Sequence, residues 1–459
     1  MGEVELILHG GTVVTPAGAS EADVAVAEGV ICAVGQALEA ANAEMIDARG
    51  LHIFPGVIDA HVHFNDPGRA DWEGLETGSR AVAAGGGTLF FDMPLNAHPP
   101  TIDRESFELK RAAAEKQSVV DFALWGGLVP QNLDRLAELA ECGVVGFKAF
   151  MANSGIEDFD CVDASTLREG MKRAVKLRLP VAVHAESEPM LRRLAKERLQ
   201  LNEGAGETSA RLSARAYLES RPVAAELEAI RTAVDLAGET GCALHIVHVS
   251  CGEGIRLITE ARQRGVNVSC ETCPHYLTLT EADVEHMGPV AKCAPPLRSA
   301  EEQANLWQRL LAGEVTTIGS DHSPSPPAMK QEADFFKVWG GISGAQHLLP
   351  LMLTKAHHQR PPPLPLLAAL LSGNVVKRFR LPRLLGGIVV GAQANLVLVD
   401  LGSDFLVRAE DLFYRHAQTP YLGRRLRGRV VRTILRGQTI YRDGKIVATQ
   451  RGQFVKPEA

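Results

Sequence analysis

The apolar run Ile53-Phe54-Pro55-Gly56-Val57-Ile58-Asp59-Ala60 leads straight into His61-Val62-His63. Short β-branched and apolar runs like it alternate with helical patterns up to about residue 350, which is the signature of βα units and a parallel sheet. With 53–60 as the first strand, seven more are expected at 88–93, 122–128, 144–149, 181–184, 243–249, 266–271 and 315–320. Helical spacing separates them, as in Phe107, Lys110, Arg111, Ala114 and Lys116, or Leu227, Ile230, Val234 and Leu236. Eight such units close into a (β/α)8 barrel of the TIM type, whose working residues lie at the C-terminal strand ends. The barrel is assigned to residues 53–387. Residues 1–52 and 388–459 read instead as short strands with turn signals, including 395–399 and the hairpin-like 439–447. Neither end makes a stable sheet alone, so the two are expected to combine into one small β-sandwich domain beside the barrel. The fold class is α/β.

Composition narrows the function. The 459 residues are 46% hydrophobic and 22% charged, with 43 Gly and 25 Pro, which excludes disordered and collagen-like chains. Lys and Arg number 48 against 55 Asp and Glu, a net charge of -7, so no basic field draws nucleic acid or an anionic membrane. A small-molecule partner is the better expectation. Met1-Gly2-Glu3-Val4-Glu5-Leu6 has no basic n-region, and the apolar run 364–371 is too short to span a bilayer, so a cytoplasmic protein is expected. Eight scattered Cys fit reduced thiols there, and Cys270-Glu271-Thr272-Cys273 reads as packed thiols rather than a redox pair. The basic run 424–429 reads as a strand edge or subunit contact.

Residues two apart on a strand share a face, so His61 and His63 project together and can grip one metal. That pattern alone is weak; its recurrence is not. His184 ends the fifth strand, His248 the sixth and Asp321 the eighth, so metal-ligand types recur at the one rim where barrel enzymes work. His245 is a rival to His248, but strand alternation turns it to the opposite face. Lys148, in Gly146-Phe147-Lys148-Ala149-Phe150-Met151, buries an ammonium in an apolar strand. Burial favours the neutral amine, which near metal ions can capture CO2 as a carbamate; the other reading is a lysine that reaches the barrel mouth to bind an anion.

With Phe54-Pro55-Gly56-Val57-Ile58-Asp59-Ala60-His61-Val62-His63, Gly146-Phe147-Lys148 and Ser320-Asp321-His322-Ser323-Pro324 in place, the chain resembles the cyclic amidohydrolases of the amidohydrolase superfamily, a group that includes allantoinases, dihydropyrimidinases or hydantoinases, and dihydroorotases. The resemblance covers nearly the whole chain. Its allantoinase branch is the nearest in His63-Phe64-Asn65-Asp66-Pro67-Gly68-Arg69, Asp71-Trp72-Glu73-Gly74, Asp92-Met93-Pro94-Leu95-Asn96, Trp339-Gly340-Gly341-Ile342 and Thr433-Ile434-Leu435-Arg436-Gly437. It implies two divalent ions per subunit, with zinc the expected metal. His61, His63, a carboxylated Lys148 and Asp321 would hold one, and the Lys148 carbamate, His184 and His248 the other. It further implies a shared hydroxide as nucleophile, Asp321 as catalytic base and acid, a homotetramer, and hydrolysis of the hydantoin-ring amide of (S)-allantoin to allantoate in purine degradation.

Three departures from relatives bear on the substrate. Dihydroorotases place Arg where this chain has Asn65, and Asn where it has Ala294; dihydropyrimidinases place Tyr where it has Asn153. A polar cyclic ureide is therefore expected, contacted by Asn96, Asn153 and main-chain groups at Ala294, although Asn on a loop also serves as a turn or cap residue. A hydantoinase acting on other cyclic ureides is the alternative, and a non-catalytic scaffold is the alternative of another class. Arg69 either binds substrate or braces the next helix through neighbours such as Glu73. The segment 323–337 reads as a mouth loop able to shield the site.

Overall fold

Strand follows helix around a closed parallel barrel in the computed structural model, which describes residues 2–200, 213–358, 362–449 and 451–458. Its strands are Val57–Val62, Gly87–Asp92, Asp121–Leu124, Phe147–Phe150, Val181–His184, Leu244–Ile246, Val268–Thr272 and Thr317–Ile318, with Gly126–Gly127 continuing the third. The first three pair in order, and the rest pair in order from Gly126–Gly127 onward. The Trp125 amide bonded to Asp92 O at 3.1 Å and the Gly126 amide bonded to Gly146 O at 3.0 Å carry the barrel across the break. The ring closes where Val62 bridges His322 in parallel, with the His63 amide donating to His322 O at 2.7 Å. Alternation along the strands fills the interior with Ile58, Ala60, Leu89, Phe91, Ala123, Trp125, Val145 and Ala182, while Phe90, Phe122, Val181 and Val183 pack in a separate apolar cluster.

Helices start where the sequence supplies caps. Asp103, Asp163 and Ser299 each accept a backbone N–H at the head of Arg104–Gln117, Ala164–Leu177 and Ala300–Leu311. Among the described residues no helix is long and apolar enough to cross a membrane.

Both chain ends build one sheet. Its order runs Lys445–Ile446, Gln438–Arg442, Arg425–Leu435, Leu396–Leu406, His52–Pro55, Leu6–Thr15, Gly18–Ala27 and Val30–Gly35, with Glu44–Asp47 also on Leu6–Thr15. It gathers its own core from Leu8, Val24, Val26, Ile53, Leu396, Leu398 and Ile434. His52–Pro55 is the seam, antiparallel to Leu396–Val399 on one side and parallel to Thr12–Val13 on the other. The expected strand 53–60 is thus two strands. Pro55 has no N–H to continue a ladder, and Gly56 is needed because a Cβ there would sit 2.3 Å from Thr88 Oγ1. The tail also departs from the reading that grouped it with the sheet: Phe454 bridges Phe122 of the third barrel strand and packs on the Phe107 and Phe122 rings. The basic run 424–429 enters the strand Arg425–Leu435, and Arg424, just before it, pairs with Asp283.

Candidate functional site

His61 and His63 leave the first strand on the same side and meet Asp321 beyond the eighth. Asp321 Oδ1 lies 3.1 Å from His61 Nε2 and 3.5 Å from His63 Nε2, and the three residues form a cluster able to hold a metal ion. Across the rim, His184 Nδ1 and His248 Nε2 lie 3.0 Å apart. The rings of His61 and His248, 5.4 Å between centroids, join the two groups. Burial lowers the pKa of His63 and His184, and that of His248 further, which favours the neutral imidazole that coordinates metals. Asp321 is anionic: burial opposes its charge, but His61 and His63 outweigh it and hold the carboxyl well below its usual range.

Two of these residues arrive on unusual backbone. The sixth strand ends at Ile246, and His248 reaches the rim through a left-handed φ of 40°; Asp321 does so at 46°. Local strain of this kind concentrates at functional sites. His245 is not turned to the outside; it lies deeper, beside Ser269 Oγ at 2.7 Å and Glu271 Oε2 at 4.0 Å.

Lys148 is fully buried on the fourth strand, its Nζ 4.8 Å from the Phe150 ring centroid and, among the described residues, without a hydrogen-bond partner. Burial brings its pKa down to about 8. The Phe150 ring that it faces stacks on the His184 ring with 4.5 Å between centroids, which sets Lys148 beside the rim histidines. His63 Nδ1 and His248 Nδ1 are also buried without partners. Neutral imidazoles, an anionic carboxylate and an unsatisfied amine at one rim fit a pair of hard-to-borderline divalent cations.

Three supporting residues were not read from the sequence. Glu271 accepts from His61 Nδ1 at 2.7 Å, which directs Nε2 to Asp321. Burial would raise the Glu271 pKa, but His61 and His245 bring it down to about 2. Glu186 accepts from His184 Nε2 at 2.8 Å, which directs Nδ1 to His248, and Arg221 pairs with Glu186. Carboxylates in this position fix tautomer and ring orientation. The available signal was the one used for Lys148, a charge inside an apolar strand: Glu271 lies in Val268–Thr272. Gly319 serves the same arrangement, since a Cβ would sit 2.7 Å from Glu271 Oε2 and 3.0 Å from the His61 Cβ.

Above the rim lies a cavity of about 270 Å3 whose walls include Asn96, Asn153 and Ala294 together with all four rim histidines and Asp321. Asn96 is buried at a φ of 70°. Asn153 Oδ1 accepts from the Gly155 amide at 2.8 Å, a turn-forming bond. Arg69 braces loops rather than the helix: it bonds Asn96 O, Ala97 O and Asp158, while Glu73 holds Arg415. Asn65, where an arginine clamp would stand, lies 3.5 Å from Pro324 O. The mouth loop is pinned by two lysines: Lys292 Nζ donates to Phe335 O at 2.7 Å and Val338 O at 2.6 Å, and Lys330 Nζ to Trp339 O at 2.7 Å and Gly341 O at 2.8 Å.

A family model described as the amidohydrolase family matches residues 52–440. The chain belongs to that family. Among amidohydrolase relatives, an allantoinase of Rubrobacter xylanophilus is 54% identical over 100% of this chain and 99% of its own, and one of Deinococcus radiodurans is 48% identical over 99% of each. Among solved amidohydrolase structures, an L-hydantoinase (dihydropyrimidinase) from Arthrobacter aurescens superposes with a TM-score of 0.92 at 35% identity, covering 99% of this chain and 100% of the other.

Proposed function

We propose that the chain hydrolyses the ring amide of allantoin to give allantoate. The observation that carries the chemistry is the buried Lys148 amine, without a hydrogen-bond partner among the described residues and facing the Phe150 ring that stacks on His184; the substrate rests on full-length likeness to allantoinases at 48–54% identity, against 35% for the hydantoinase. His61, His63 and Asp321 would hold one divalent ion, zinc the expected one, and His184 and His248 a second, with Lys148 as a carbamate serving both. When bound, such ions supply Lewis acidity, polarising a carbonyl and lowering the pKa of water.

The residues of the chain then divide the remaining work. Glu271 and Glu186 keep His61 and His184 in the tautomers that face the rim. Asp321 Oδ1 faces the two histidines, which leaves Oδ2 to take the proton of the attacking water. As oxygen adds to the ring carbonyl and the C–N bond breaks, that proton passes to the departing ring nitrogen, and the product is a linear ureido acid. Asn96, Asn153 and the main chain at Ala294 would orient the ureide, and the loop held by Lys292 and Lys330 limits water above it. The cytoplasmic location and the homotetramer belong to the same proposal; eight free thiols support a reducing compartment.

The test compares turnover of allantoin, hydantoin, dihydrouracil and dihydroorotate by one purified preparation. Allantoin is expected to lead, and Asp321→Asn to lower its turnover by roughly 10²–10⁴. Preference for dihydrouracil or hydantoin would replace the substrate while keeping the mechanism.

A further inference from the structure

The opposite end of the barrel carries a second cavity, of about 730 Å3, walled by the residues that lead into the fifth to eighth strands. Arg178, Arg262, Lys377, Arg378 and Arg380 line it, and among the described residues no carboxylate does. This is unexpected in a chain of net charge -7 that elsewhere neutralises its buried guanidiniums, Arg221 with Glu186, Arg298 with Glu226 and Arg436 with Asp121. We infer that this face is an anion-binding site for a small molecule with a phosphate or carboxylate head.

The two inner arginines have donors to spare. Arg378 gives Nη1 to Asn267 Oδ1 at 2.7 Å and Nη2 to Leu244 O at 2.5 Å; Arg262 gives Nη2 to Glu314 O at 2.8 Å. Those acceptors are neutral, and Nε of both arginines is buried without a partner among the described residues. Two like charges held together in a partly dry site are costly until an anion sits between them. After burial, Arg262 is among the charges that hold the Arg378 pKa down, to about 10. A guanidinium fork matches phosphate and carboxylate oxygens in pairs. The volume lies within the range of small-molecule sites, and Leu179, Val268 and Val315 offer an apolar wall for the body of the ligand. Because Leu244 opens the sixth strand and Glu314 lies in the loop that leads into the eighth, the bound anion tightens the barrel base and acts on stability rather than on turnover.

The full-length protein is titrated by calorimetry and thermal melting with inorganic phosphate and with malonate, ionic strength being held constant with chloride. One saturable site per chain is expected, with Tm rising with ligand concentration. Arg378→Gln should weaken Kd by about tenfold or more at unchanged turnover. Should that variant fail to fold, Lys377→Gln and Arg380→Gln, nearer the solvent, should each weaken Kd several-fold. Phosphate binding alone assigns a phosphate head, and malonate binding alone a carboxylate. Absence of saturable binding with either, or a Kd unchanged by these substitutions, overturns the site.

Discussion

Lys110 and Lys148 are both buried almost completely in one barrel, and their surroundings could hardly differ more. Lys110 Nζ, beside the end of the second strand, meets Asp92 Oδ2 and Met93 O, each at 2.7 Å. Lys148 Nζ, on the fourth strand, faces the Phe150 ring and has no hydrogen-bond partner among the described residues. A buried ammonium with a carboxylate and a carbonyl is architecture, whereas one with neither is incomplete until its charge or its chemistry changes. The contrast extends to their neighbours. Away from the rim, Glu226 is met by Ser250 and Arg298, and Lys330 by three carbonyls. At the rim, Lys148, His63 and His248 each keep an unsatisfied nitrogen.

The largest effect should come from Lys148→Ala. It is expected to lower turnover by at least about a thousandfold, on the scale of losing a metal-held nucleophile, with metal content falling in parallel. Added short-chain carboxylic acids should restore part of both. An arginine at 148 should fail equally, since it keeps a charge that cannot be carboxylated.

Lys110→Met should do the converse. It strands Asp92 as a buried unpaired charge and should cost about 3–5 kcal/mol in urea unfolding, while turnover per folded molecule stays within a few-fold. If Lys110→Met removed metal without loss of stability, the division between the two lysines would be misplaced. A smaller effect is expected from Glu271→Gln, which keeps the size of the side chain but weakens the bond to His61 Nδ1. Metal affinity at the His61–His63–Asp321 group should fall roughly 10–100-fold, read by competition with a chelator, with the folded spectrum unchanged.

The last prediction concerns a buried imidazole outside the rim. Burial pushes His347 from 6.5 to about 3. Between those values the unfolded chain binds a proton that the folded chain does not, so stability falls as pH drops through that window and is untouched above it. His347→Gln should therefore lose about 1.6 kcal/mol less than the wild type between pH 6.5 and pH 5, the imidazole of the unfolded chain being already half protonated at pH 6.5. Parallel urea midpoints at the two pH values would contradict this.

What the sequence made legible follows from how local each signal is. The alternation of His61 and His63, the histidine at the end of Val181–His184 and the misplaced charge of Lys148 are each visible within a few residues. The strand ends are less so: the eighth strand is only Thr317–Ile318, because the barrel closes through His322 instead. Glu271 and Glu186 escaped notice because their meaning depends on imidazoles and a guanidinium elsewhere in the chain; Glu271 meets His61 from a position 210 residues away. Within Cys270-Glu271-Thr272-Cys273 the local pattern speaks of thiols and not of the carboxylate between them. His248 joined the rim by a backbone turn that strand periodicity does not encode. The basic base of the barrel was invisible for a similar reason, since Arg178, Arg262 and Arg378 are far apart in sequence and only the fold brings them to one cavity.

The central claim is that one unpaired amine completes a two-ion centre. Elemental analysis of the wild-type protein and of Lys148→Ala, purified side by side, tests it most directly. About two divalent ions per chain in the first and a clear loss in the second are expected. Equal metal content in both proteins, with allantoin turnover preserved in the variant, would contradict it.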